Sequence, residues 1–311
     1  MRSVARRLQP AQWPRRLDDW LQEPAPPERL ATLRLAIGGY ALVNLFVSFG
    51  EFDRLARRPA DEFEPVGLAS LLSGPVAPEW LWTLFALSAL SGAGFVAGVW
   101  YRVSGPVFAL GTLAWATYHA SWGQMLHFEH LVTLHLLVLG WSPAADALSL
   151  RSGRRASVEG RTAHHGWPVR LMAIITVITY ALAGIAKLRN GGLAWADGTT
   201  LANHIAYSAT RLDLLGEPRP PLATFVIGRA QLLGPMALAG LAVELLAPLA
   251  LFGGRFRRIW VPSIVAFHLG TLLTMFVFFS YNGLGFALLP LYRVERVAAF
   301  LDRSARRIAG R

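Results

Sequence analysis

Long stretches of this sequence carry no charge, and the polar residues gather between them. Residues 80–101 contain no Asp, Glu, Lys or Arg, nor do residues 103–126, and 259–292 are interrupted only by His268. Runs of about 18 or more apolar residues have the length of a helix across a bilayer. The pattern predicts spans at about 30–50, 80–101, 103–122, 129–145, 168–187, 232–253 and 259–280, with a short apolar segment at 282–292 that would complete an eighth, broken span. The expected fold class is therefore all-α: a polytopic integral membrane bundle of seven or eight transmembrane helices. Pro65-Val-Gly-Leu-Ala-Ser-Leu-Leu-Ser-Gly is too short to span and reads as interfacial or re-entrant. Residues 188–230 form a polar insert with an amphipathic helix near 200–212 and a break at Pro218-Arg-Pro-Pro. Before the first span, Trp13-Pro-Arg-Arg-Leu-Asp-Asp-Trp-Leu is amphipathic and suited to the membrane surface. The organisation expected is an amphipathic segment (1–29), a transmembrane domain (30–292) and a basic tail (293–311).

Composition agrees. Of 311 residues, 54% are hydrophobic and only 16% charged, against about 25% charged in soluble domains, and the mean hydropathy is +0.40. The net charge of +11 would suit nucleic acid, but the arginines flank the apolar runs, as the positive-inside rule requires, so a nucleic-acid partner is excluded in favour of the lipid bilayer. The N-terminal segment, the Arg102 turn, the 146–170 connector, the Arg255 turn and the tail all fall on one side if the chain crosses eight times. That places both termini in the cytoplasm and the protein in the cell (inner) membrane as a multi-pass protein, with 51–79, 122–129 and 188–230 outside. Met1–Arg29 shows no signal peptide, so the first span is expected to act as its own insertion signal. The absence of cysteine removes disulfides, thiolate nucleophiles and Cys-based metal sites.

The ionisable residues cluster on the outer side of this topology. His119 ends the third span, and His127 and His130 start the fourth, with His135 a turn deeper. Lys187 ends the fifth span, in Tyr180-Ala-Leu-Ala-Gly-Ile-Ala-Lys187-Leu, and Trp195-Ala-Asp197-Gly198 follows. A lysine at such depth loses hydration, which favours the neutral amine and makes it a candidate base; snorkelling to the head groups is the alternative. His127 and His130 are spaced as two metal ligands on one helix face would be, yet no matching pair accompanies them, and no metal is expected. Asp197 equally fits a helix cap. Glu244 and His268 lie mid-span, where a carboxylate needs a partner, with His268 or Arg229 as candidates; an interhelical structural hydrogen bond is the alternative. His164-His165, in the basic connector, reads as solvated.

Four stretches together resemble the HTTM (horizontally transferred transmembrane) family, the membrane domain shared with vitamin K-dependent γ-glutamyl carboxylases. They are Arg34-Leu-Ala-Ile-Gly; His130 through Ser142-Pro143 to Ala147-Leu-Ser-Leu; Ala183-Gly-Ile-Ala-Lys187-Leu with Trp195-Ala-Asp-Gly; and Glu244-Leu-Leu-Ala-Pro with His268. The resemblance covers about 30–290. It implies that Lys187 is the base that deprotonates reduced vitamin K, a menaquinol-type cofactor. The oxygenated quinol then removes a glutamate γ-proton, and CO2 adds to the carbanion. It also implies that His130, with His127 as a competing register, is the family histidine, that the site faces outward, and that a quinone and a peptide or protein substrate are partners. The sequence departs from the carboxylases in having Glu129 for the asparagine before the histidine, Ala186 for a second lysine, and no counterpart of their large soluble C-terminal domain up to Arg311.

Two classes of function follow. One is a lyase-class, carboxylase-like or quinol-dependent membrane enzyme with Lys187 and His130 as catalytic residues and His119, His127, Trp195, Asp197, Glu244 and His268 supporting. The other is non-catalytic: a membrane module binding lipid, quinone or a protein partner, or a small transporter or immunity component using Glu244 and His268 as a proton-linked pair.

Overall fold

The computed structural model describes residues 13–123, 129–150 and 160–297. Among these residues the chain is helical, without strands, and an antiparallel backbone bridge joins Ala25 to Thr162. Thirteen α-helices run in chain order: α1 (Trp13–Leu21), α2 (Pro27–Val47), α3 (Phe49–Leu55), α4 (Pro78–Ala97), α5 (Tyr101–His119), α6 (His130–Gly140), α7 (Ala163–Gly191), α8 (Leu193–Ala196), α9 (Thr199–Leu214), α10 (Ala223–Ile227), α11 (Ala230–Leu245), α12 (Gly254–Met275) and α13 (Ser280–Gly283).

Local chemistry sets the boundaries. α2 and α4 begin on Pro27 and Pro78 with Glu28 and Glu79 in the first turn, so the missing proline N–H falls where no helical acceptor exists and the acid meets the positive helix end. α4 stops at Gly98, whose φ of +71° suits glycine, and α5 resumes at Tyr101. Among the described residues, α2, α4, α7 and α12 are long and apolar enough to cross a membrane.

The lengths differ instructively from the hydropathy pattern. α7 has 29 residues, about 43 Å, and exceeds a hydrocarbon core of about 30 Å because its helix continues past the apolar run at both ends. α11 ends at Leu245 because Pro248 has no N–H for the Glu244 carbonyl, and the chain continues as a 3₁₀ turn over Ala247–Leu251. The 282–292 segment forms the end of α13 and a 3₁₀ turn over Phe286–Leu291. The re-entrant candidate is a 3₁₀ turn at Gly67–Leu71, and the amphipathic helix expected in the polar insert is α9.

The chain forms two compact units, one from Met1–Gly123, His135–Met172 and Arg293–Arg311, the other from Gln124–Leu134 and Ala173–Tyr292. In the first, glycines let helices touch: a Cβ on Gly92 would lie 2.8 Å from the Phe108 ring, and one on Gly105 2.7 Å from the Gly140 carbonyl. Arg34 is fully buried and donates to the carbonyls of Ala144 (3.1 Å) and Leu148 (2.5 Å). An aromatic cluster holds Phe52 stacked on Trp115, with Tyr118 and Trp122. Contrary to the solvated reading, His165 is buried: in the first turn of α7 it donates from Nε2 to Asp146 (3.0 Å) and accepts at Nδ1 from the Thr162 hydroxyl (2.6 Å). Arg170 pairs with Glu23 and covers the Trp20 ring, and Arg29 pairs with Glu295 at 2.7 Å.

In the second unit the core is Val177, Tyr180, Ala247, Ala250, Trp260, Ile264, Leu288 and Leu291. Trp260 donates its indole N–H to the Val243 carbonyl (2.7 Å), and Thr176 its hydroxyl to the Ala287 carbonyl (2.8 Å). A smaller cluster of Ile205, Ala223, Val226 and Leu233 seats α9 and α10.

Candidate functional site

The second unit contains the polar groups of the lysine motif. Tyr180, Gly184 and Lys187 recur at i, i+4 and i+7 and so share one face of α7. Gly184 brings that face close to α11: a Cβ there would lie 3.0 Å from Leu245 and 3.1 Å from the Glu244 Cβ. The approach lets Lys187 Nζ reach Glu244 Oε1, and the two form an ion pair. The Glu244 side chain is only 4% exposed and that of Lys187 23%, so the acid is buried within the helices while the lysine side chain is partly exposed. Such a pair resists loss of either member, because the survivor is left as an unpaired buried charge.

Aromatic rings flank the ammonium. Lys187 Nζ lies 5.4 Å from the Trp195 ring centroid and 5.2 Å from that of Phe267, both within cation–π range. The Trp195 indole packs where Gly191 has no side chain, and His204 of α9 stacks on it with centroids 5.6 Å apart. A second polar chain adjoins the first through α12, where His268 follows Phe267. Asn282 Nδ2 donates to the Tyr180 hydroxyl at 2.7 Å, and that hydroxyl lies 2.9 Å from His268 Nε2. Two buried atoms of this region, Glu244 Oε2 and His268 Nδ1, have no hydrogen-bond partner among the described residues.

The sequence candidates are distributed unevenly around this centre. Lys187, Trp195 and Glu244 are brought together, and His268 stands beside Phe267 in the same helix cluster. Glu244 pairs with Lys187; Arg229, the other basic candidate, covers the Phe225 ring, and His268 bonds Tyr180. Asp197 accepts the Thr199 amide N–H at 2.8 Å where α9 begins, and that bond holds its carboxyl below the usual carboxylate range. His130 opens α6 with an exposed side chain, in the same unit as Lys187. His119 belongs to the first unit, where it stacks on Trp115 (5.1 Å), and His127 lies outside the described residues. Among the described residues no three His, Asp or Glu side chains gather as metal ligands.

Three contributors lay outside the sequence-based site: Tyr180, Phe267 and Asn282. Tyr180 had a readable signal, since it stands two turns from Lys187 on the same face. The others come from segments distant in sequence, and only packing shows them.

No curated protein and no solved structure matches the chain. The model of the HTTM domain matches residues 22–293, a stretch that contains all four candidate membrane-crossing helices and the Lys187–Glu244 pair. The chain is therefore a membrane protein of the HTTM domain family.

Proposed function

We propose that the protein is a quinol-dependent membrane enzyme of the carboxylase-like type, with Lys187 Nζ as the base. The observation that carries this reading is the setting of Lys187, which pairs with a buried carboxylate, lies within cation–π range of two aromatic rings and has a partly exposed side chain. A planar aromatic head group fits such surroundings, and the unmatched Glu244 Oε2 gives it a polar contact. When bound, a menaquinol-type cofactor supplies an ionisable hydroxyl.

The Lys187–Glu244 pair is suited to receiving that proton. With one proton shared between Nζ and Oε1 the pair is neutral overall, as an ammonium–carboxylate or an amine–carboxylic acid. A second proton, accepted at Nζ in the amine form, would leave the pair at +1, the sign that would offset an anionic head group held there. Charge in the low-dielectric interior is thus balanced at each stage. Glu244 is the partner that lets one lysine act as base without leaving an isolated charge in the membrane.

The fuller reading adds His130 to orient or charge-balance the reacting group, with seven or eight membrane crossings, cytoplasmic termini, an inner-membrane location and an outward-facing site. The positions of the basic segments support that orientation. A peptide or protein substrate remains part of the proposal through the family resemblance. The test is quinol-dependent turnover by the full-length protein in lipid nanodiscs, with the expected result that Lys187→Ala removes it. Unchanged turnover in that variant, or none in the wild type, would overturn the reading.

A second reading, a non-catalytic module that binds lipid, quinone or a protein partner, is favoured by the ion pair itself, since a permanently paired lysine is a structural element. It predicts quinone binding without turnover.

A further inference from the structure

The hydrogen bonds around Tyr180 have a direction. The Asn282 amide nitrogen has only protons to give, so the Tyr180 oxygen accepts from it. The tyrosine's own proton then goes to His268 Nε2, making that nitrogen an acceptor and leaving the proton of the neutral ring on Nδ1. This N–H is buried and meets no acceptor among the described residues. Glu244 on α11 has the opposite deficit. Its Oε1 is engaged by Lys187, while Oε2 is buried and meets no donor among the described residues. Oε2 is an acceptor wherever the shared proton rests, because that proton lies between Nζ and Oε1. Glu244 and His268 both lie within electrostatic reach of the Lys187 amine. Buried polar groups in native proteins are nearly always matched, so an unmatched donor and an unmatched acceptor around one amine point to a ligand that meets both.

We infer that Glu244 Oε2 and the His268 Nδ1–H are the specificity-determining groups of the Lys187 site, presenting one acceptor and one donor to the ligand's polar head. The inference rests on the reading that a quinone-type molecule occupies the site. A hydroquinone has hydroxyl protons to donate to Oε2 and oxygens to accept from Nδ1–H. The corresponding quinone has carbonyls that only accept, and it leaves Oε2 buried and unmatched. The site therefore distinguishes the two redox states by hydrogen-bond polarity. Tyr180 and Asn282 are positioning residues that hold the His268 tautomer.

The experiment is equilibrium binding of a prenylated naphthoquinone, and of the same molecule kept reduced with dithionite, to the full-length protein in nanodiscs. The wild type is expected to bind the hydroquinone about tenfold more tightly or better, the effect of one unmatched buried acceptor. In Glu244→Gln the side-chain carbonyl faces Lys187 and an NH2 replaces Oε2, so the acceptor becomes a donor and the preference should vanish or invert. Tyr180→Phe removes one oxygen, leaves the ligand contacts in place and frees the tautomer. The ¹⁵N resonances of His268 in histidine-labelled protein should lose their Nδ1-protonated signature, and the preference should narrow. If Glu244→Gln does not fold, Tyr180→Phe decides alone. Equal wild-type affinities, an equal loss for both ligands in Glu244→Gln, or an unchanged tautomer in Tyr180→Phe overturns the inference while leaving the quinone reading intact. Failure of both ligands to bind the wild type overturns both.

Discussion

Each unit holds a basic side chain among apolar helices, Arg34 in the first and Lys187 in the second, and the two are handled in opposite ways. Arg34 is met by backbone carbonyls of Ala144 and Leu148, with its guanidinium 5.9 Å from the Tyr101 ring centroid. Its charge is permanent and its partners do not titrate, so the arrangement fixes a turn and has no second protonation state. Lys187 is met by a carboxylate that can share its proton, and it keeps 23% of its side chain accessible. Cost of burial alone does not mark a functional charge. What distinguishes Lys187 is a partner that can share its proton, together with a partly exposed side chain.

The largest expected effect separates these roles. Lys187→Ala should lower quinol-dependent turnover by roughly 10²–10⁴-fold, the usual worth of a positioned general base. Protein variants altered at Arg34 should lose rate only in proportion to the folded fraction. Arg34→Ala, in turn, should lower stability by about 3 kcal/mol, because two buried carbonyls lose a charged donor and a cavity replaces the largest fully buried side chain. Thermal unfolding in detergent, measured beside turnover for both variants, checks the contrast. If both variants lose rate and stability in the same ratio, the distinction fails.

Much of this was legible in the sequence. Charge-free runs located α2, α4, α5, α7 and α12 to within a few residues, and the cost of membrane charge singled out Lys187 and Glu244. The pairing of those two was not legible, for they stand 57 residues apart. A helix in lipid is apolar on nearly every side, so periodicity does not show which face meets which neighbour, and close approach at small residues decides instead. The same limit hid Phe267 and Asn282. His165 was misread for another reason: its basic flanks suggested solvent, whereas Asp146 and Thr162 supply partners within the connector and the first turn of α7.

Close approach is itself testable, with a smaller effect. An alanine at Gly184 would put a methyl 3.0 Å from Leu245 and 3.1 Å from the Glu244 Cβ, so those side chains must give by a few tenths of an ångström. Gly184→Ala should cost about 1–2 kcal/mol of stability and a larger share of turnover, since Glu244 moves relative to Lys187. Gly39 on α2 has no neighbour within 4 Å of such a methyl. Gly39→Ala should therefore be neutral or gain about 0.5–1 kcal/mol from lower backbone entropy in the unfolded chain. Equal losses at the two glycines would show that helix contact at Gly184 is not special.

The smallest effect concerns a charge pair in the first unit whose partner does titrate, unlike those of Arg34. Arg29 holds the Glu295 carboxylate at 2.7 Å, with side chains 11% and 18% exposed. Burial pushes the Glu295 carboxyl upward, but the hydrogen bonds and charge of Arg29 outweigh it, and the carboxyl lies below its ordinary range. A depressed carboxyl stabilises the fold above its unfolded value, about 4.3, and that contribution disappears as pH falls through the lower folded value. The amount is no more than about 1 kcal/mol, typical of a pair near a surface. At neutral pH, Glu295→Gln should melt slightly below the wild type, and the two melting curves should converge as pH drops below that window. Arg34, bound to carbonyls, should contribute the same stability at both ends of the titration. A gap between Glu295→Gln and wild type that persists unchanged into acid would mean that shape rather than charge holds Glu295 in place, and the contrast between titrating and non-titrating partners would then not extend to this pair.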